Sequence, residues 1–113
     1  VLIALGTNDA FAVSPAELAT RVATLVGDLR SAGVSRMAAI VPIRPSASWS
    51  FPAGSSYDAA LGAMTRVYRQ ESVPVLPVHA VDFDSEALTA DGVHPNDAGN
   101  ERMAQIIVET LAG

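Results

Sequence analysis

The sequence has 113 residues, half of them hydrophobic, 17% charged and only 5% aromatic, with a formal net charge of -5. These numbers suit one globular domain, or a piece of one, around an aliphatic core, and they exclude a disordered tail. Arginine is scattered and lysine absent, so a nucleic-acid backbone finds little to grip, and the lack of cysteine rules out disulfides, thiolate nucleophiles and cysteine-held metals.

No apolar run reaches the roughly 20 residues of a membrane helix. The alanine-rich, arginine-only usage points to a GC-rich bacterial genome. Localisation, whether secreted or cytoplasmic, is not legible. The chain opens on Val1 inside an apolar run rather than on Met, so its true beginning is expected to lie elsewhere.

In chain order, Val1 to Leu5 is an unbroken aliphatic run ended by Gly6, the pattern of a buried parallel strand. Ser14, Pro15 and Glu17 make a helix start, with Leu18, Val22, Leu25, Val26 and Leu29 at helical spacing and Gly33 placed to end it. Met37 to Ile43 is a second strand, followed by an irregular segment over 44–56 that holds Trp49 and Phe51. A helix runs from about Ser56 to Gln70 with Leu61, Met64, Val67 and Tyr68 inward. Val73 to Val81 reads as a third strand, whose Pro74 and Pro77 suit an edge position. After a loop over 82–95, a helix from Asn96 or Asp97 turns Met103, Ile106, Ile107 and Leu111 inward.

The order β-α-β-α-β-α implies a parallel sheet with right-handed crossovers. The first strand is apolar throughout and lacks the usual protection of an edge, so it reads as a central strand that has lost a neighbour. The neighbour would come from missing upstream sequence or from a second chain.

Ligands of an open parallel sheet bind at the carboxyl ends of its strands. There the first strand ends in Gly6-Thr7-Asn8-Asp9. The Asn8 amide could donate to the oxygen that turns negative during acyl transfer. Taken alone, the tetrapeptide is read more readily as a simple turn, with Asp9 tying it down through backbone N–H groups. The second constellation is Asp91-Gly92-Val93-His94-Pro95-Asn96, before the last helix. Here the carboxylate can hold one imidazole nitrogen, leaving the other to take a proton from a hydroxyl nucleophile. Pro95 would stiffen this loop and Asn96 cap the helix. In isolation, Asp-x-x-His is again read more readily as a surface loop with a solvated histidine.

Together, GTND and DGVHPN resemble the third and fifth conserved blocks of the SGNH/GDSL hydrolase family, in the family's order. The resemblance runs along the whole chain but covers only the later part of the family's domain, so residues 1–113 are expected to be that portion of a single domain. It implies a flavodoxin-like three-layer α/β/α fold with a parallel sheet, here incomplete, with Asn8 in the oxyanion hole, Asp91 orienting, and His94 as general base and acid. The family's first block, with the nucleophilic Ser, and its second, with an oxyanion-hole Gly, have no counterpart. Ser46, Ser48, Ser50, Ser55 and Ser56 lie in the loop after the second strand, but none sits on a sharp strand-to-helix turn; Ser55 or Ser56 reads as an N-cap.

The family calls for no metal or cofactor, and His79 with Asp82 and Asp84 reads as a structural histidine before an acidic loop. Trp49 and Phe51 either wall a substrate pocket or pack their loop, while Arg44 either meets an anionic group or faces solvent. The expected function is ester hydrolysis through an acyl-enzyme, on short acyl esters of carbohydrates, lysophospholipids or small soluble esters, with the serine supplied from outside this chain. The rival from another class is a non-catalytic module of the same fold, or an inactive fragment.

Overall fold

The structure, a computed structural model, describes residues 1–43, 57–81, 83 and 87–112, with Asn8 described by its backbone alone. The readings placed on Arg44, the five loop serines, Trp49, Phe51, Asp82 and Asp84 lie outside the described residues.

Three short strands form a parallel sheet in the order β1-β2-β3: β1 is Leu2–Ile3, β2 Ala38–Ile40 and β3 Val75–Leu76. Leu2 and Ile3 lie opposite Ala38 and Ala39, and Ala39 and Ile40 opposite Val75 and Leu76. The aliphatic runs are longer than these ladders. Val73 and Pro74 precede the β3 pairing, and Pro77 opens a 3-10 turn over Pro77–Ala80, so His79 sits on that turn rather than on a strand. Among the described strands β3 stands at an edge, which the flanking Pro74 and Pro77 suit.

Side chains of adjacent strand residues point to opposite faces, which divides the core in two. Ile3, Ala39 and Val41 pack with helices α2 (Pro15–Ser31) and α3 (Tyr57–Gln70) on one face. Ala38, Ile40, Leu76 and Val78 pack with Phe83, Leu88 and Ile106 of helix α4 (Asp97–Ala112) on the other. The result is the expected three-layer α/β/α arrangement.

Local chemistry fixes the helix ends. The Ser14 hydroxyl accepts from the Glu17 amide at 3.1 Å, and Pro15 opens α2. Gly33, at φ 93, stops it, with Val34 N–H closing on the Leu29 carbonyl at 3.0 Å. Arg30 of α2 joins the end of α3 through the Glu71 carboxylate at 3.0 Å and the Glu71 carbonyl.

Two further features depart from the sequence reading. A helix of six residues, α1 (Thr7–Ala12), follows β1 where a turn was expected, and the Asp9 carboxylate lies 3.8 Å from Arg21 of α2. Leu111 is exposed rather than inward, and it borders a hollow together with Val1, Leu2 and Ala38. β1 pairs with β2 on one side and with no other described strand, and Leu2, on the α4 face, is 48% exposed.

Candidate active site

Residues 87–96 form a closed loop. Thr89 and Pro95 make an antiparallel bridge, the Ala90 N–H donates to the His94 carbonyl at 2.9 Å, and the Asn96 N–H donates to the Leu88 carbonyl at 2.9 Å. Gly92 turns the tip at φ 94, a left-handed conformation that a side chain would strain. Asn96 holds both ends of the unit. Its Oδ1 accepts from the Gly99 N–H at 2.8 Å, capping α4, while its Nδ2 donates to the Ala87 carbonyl at 2.9 Å. Gly99 has to be glycine, since a Cβ there would run into the Leu88 carbonyl oxygen.

Inside this frame Asp91 and His94 meet. Asp91 Oδ1 accepts from the backbone N–H groups of Val93 and His94 at 3.0 and 2.8 Å, and Oδ2 lies 2.5 Å from His94 Nδ1. The His94 backbone bond first, then its ring and the Val93 bond, hold the Asp91 carboxyl well below the usual carboxylate range. A carboxylate on Nδ1 places the ring proton there and leaves Nε2 as the acceptor. The pair is open to solvent, His94 being 76% and Asp91 49% exposed.

His94 borders a cleft of about 310 Å³ at the carboxyl ends of the strands. Leu5 and Thr7 after β1, Pro42 and Ile43 after β2, and Met103 of α4 complete most of its wall. Asn8 follows Thr7 directly, in the first turn of α1, so its backbone is brought to the same end of the sheet as the Asp91–His94 pair. A larger hollow, about 730 Å³, lies by Val1, Arg36 and Ser72 at the opposite ends of the strands, away from this pair. Among the described residues no group of His, Asp or Glu could hold a metal.

The family model for GDSL-like lipase/acylhydrolase matches residues 1–107. The chain belongs to this family. A solved structure similar in fold is LAE5, an alpha/beta hydrolase enzyme from the metagenome of Lake Arreo, Spain, with a TM-score of 0.76 and 24% identity. The match covers 99% of this chain and 59% of LAE5, so the GDSL chain spans less than two thirds of that enzyme's length. Comparison with curated proteins finds no match.

One residue of the GDSL chain escaped the sequence reading. Tyr57, at the start of α3, is 2% exposed, and its hydroxyl donates to the Ile43 carbonyl at 2.9 Å. The Tyr57 ring lies 4.5 Å from that of Phe11. A tyrosine in the first turn of an apolar-faced helix carries no sequence signal for such partners.

Proposed function

We propose that this chain is part of a serine ester hydrolase, that His94 is its general base and acid, that Asp91 orients His94, and that Asn8 is an oxyanion-hole donor. The observation that carries the reading is the 2.5 Å contact between Asp91 Oδ2 and His94 Nδ1 beside the cleft at the carboxyl ends of the strands. Family membership supports the hydrolase class.

In this mechanism a serine outside these 113 residues attacks the ester carbonyl while Nε2 of His94 takes its proton. The electrons of the carbonyl move onto its oxygen, and Asn8 donates to that oxygen. Collapse expels the alcohol, which receives the proton from His94. Water, activated by the same Nε2, then releases the acid and restores the serine. Asp91 stabilises the imidazolium at each step. The substrates are esters, and the mostly apolar cleft wall suits a small acyl or alcohol group. The described residues would form the later portion of one domain, with the serine-bearing strand paired to the open side of β1; the exposed Leu2 supports that placement.

The test is intact mass of the native full-length protein before and after a fluorophosphonate probe. One adduct, lost in His94→Ala, is the expected result. Absence of any adduct on folded protein overturns the reading in favour of a non-catalytic module.

A further inference from the structure

We propose that Tyr57 is a positioning residue for the oxyanion hole, its hydroxyl on the Ile43 carbonyl and its ring against Phe11 together holding the short helix that carries Asn8. This rests on the reading of Asn8 given above.

A hydrogen-bond donor stabilises an oxyanion only if it is already fixed where the charge develops. Asn8 sits in the first turn of a six-residue helix, too short to be stable by itself. Gly6, at the head of α1, is left-handed at φ 113, and no side chain caps the helix there. Tertiary contacts therefore have to hold α1, and many of them come from α3. Met64 lies beneath Gly6, where an added Cβ would come 2.7 Å from the Met64 methyl carbon. Tyr57, seven positions earlier and on the same helix face, takes Phe11.

The Tyr57 ring meets α1 at Phe11 while its hydroxyl donates to the Ile43 carbonyl at 2.9 Å, so one side chain joins α1 to the segment after β2. Thr7 and Ile43 line the same cleft as His94 and follow adjacent strands. One buried group thus sets the Asn8 turn against the floor of the cleft. Burial pushes the phenol up to about 12, so the bridge keeps its polarity at every pH where an ester hydrolase works. A tyrosine needed only for packing would be replaced by phenylalanine with little effect on catalysis.

The test uses the full-length enzyme hydrolysing p-nitrophenyl acetate. Tyr57→Phe keeps the ring and removes the bridge; kcat is expected to fall about 10- to 100-fold with KM little changed, the signature of a misplaced catalytic group. Phe11→Leu cuts the same link from its other end and should give the same split, which keeps the proposal testable if Tyr57→Phe does not fold. Asn8→Ala should cost about 10²- to 10³-fold. Adding Tyr57→Phe to it should cost little more, because a donor already removed cannot be misplaced. Wild-type kcat in the folded bridge variants, or losses that multiply in full, overturn the role of Tyr57 and leave Asn8 standing. Full kcat in Asn8→Ala overturns the oxyanion reading and this proposal with it.

Discussion

Asp91 divides its oxygens between two tasks: Oδ1 closes the turn over Val93 and His94, and Oδ2 holds the imidazole. Asp91→Asn can still accept the backbone bonds, but its amide offers a donor to Nδ1 and favours the wrong tautomer. A drop of about 10²- to 10⁴-fold in kcat/KM of the full-length enzyme is expected, with a fall in melting temperature at neutral pH no larger than that of Asp91→Ala. The pH dependence has a defined sign. The folded Asp91 carboxyl lies well below its unfolded value, so its stabilisation is in force above the unfolded value and is lost as pH falls through the folded one. Thermal melts of Asp91→Ala should therefore lie below those of the parent at neutral pH and converge with them in acid. A loss of activity near neutral pH has to come from a group other than Asp91. Gly99 sets a steric limit: Gly99→Ala pushes against the Leu88 carbonyl and brings a carbon 3.1 Å from Pro95 Cβ. It should destabilise by about 1–3 kcal/mol in denaturant titration and lower activity as well, because the displaced segment carries His94.

At the scale of elements, α2 and α3 are well-formed helices that each carry one glycine with open space around it. Gly27 and Gly62 have nothing within 4 Å of an added Cβ. Gly27→Ala and Gly62→Ala should each stabilise by about 0.5–1 kcal/mol in chemical denaturation, with activity unchanged. The same helices were the most legible part of the sequence, because their signals are local: the Ser14 cap, the Gly33 stop and the inward stripe Leu61, Met64, Val67 and Tyr68 all lie where the spacing put them. The capping role of Asn96 was legible for the same reason. Helix α1 was not. Gly6, Asn8 and Asp9 favour a turn, and the helix exists through burial of Ala10 and the Phe11–Tyr57 contact, which no local pattern reveals. Strand lengths were overread because an aliphatic run marks burial rather than pairing, and here it extends past the ladder at both ends of β2. The candidate site divides in the same way. Asp91 and His94 share one loop and could be paired from spacing, whereas the Tyr57 bridge joins residues far apart in the chain.

For the molecule as a whole, the side of β1 that pairs with no other described strand should dominate behaviour in solution. Val1, Leu2 and Leu5 are exposed along it, Leu5 by 64%, and Val108 and Leu111 are exposed on α4. An unpaired apolar strand edge is a template for association. The 113-residue polypeptide on its own should self-associate in sedimentation velocity, and Leu2→Lys should suppress this without touching the buried core. The two faces of the sheet are also unequally covered: α2 and α3 bury long stripes, whereas α4 fully buries only Gly99 and Ile106. With Asn96 gripping both α4 and the segment before it, loosening of that helix cannot leave the histidine behind. The two should open as one cooperative unit, exchanging amide hydrogens together and ahead of α2 and α3. Warming would then abolish catalysis while most of the backbone remains protected, so heat inactivation would report this partial opening rather than global melting.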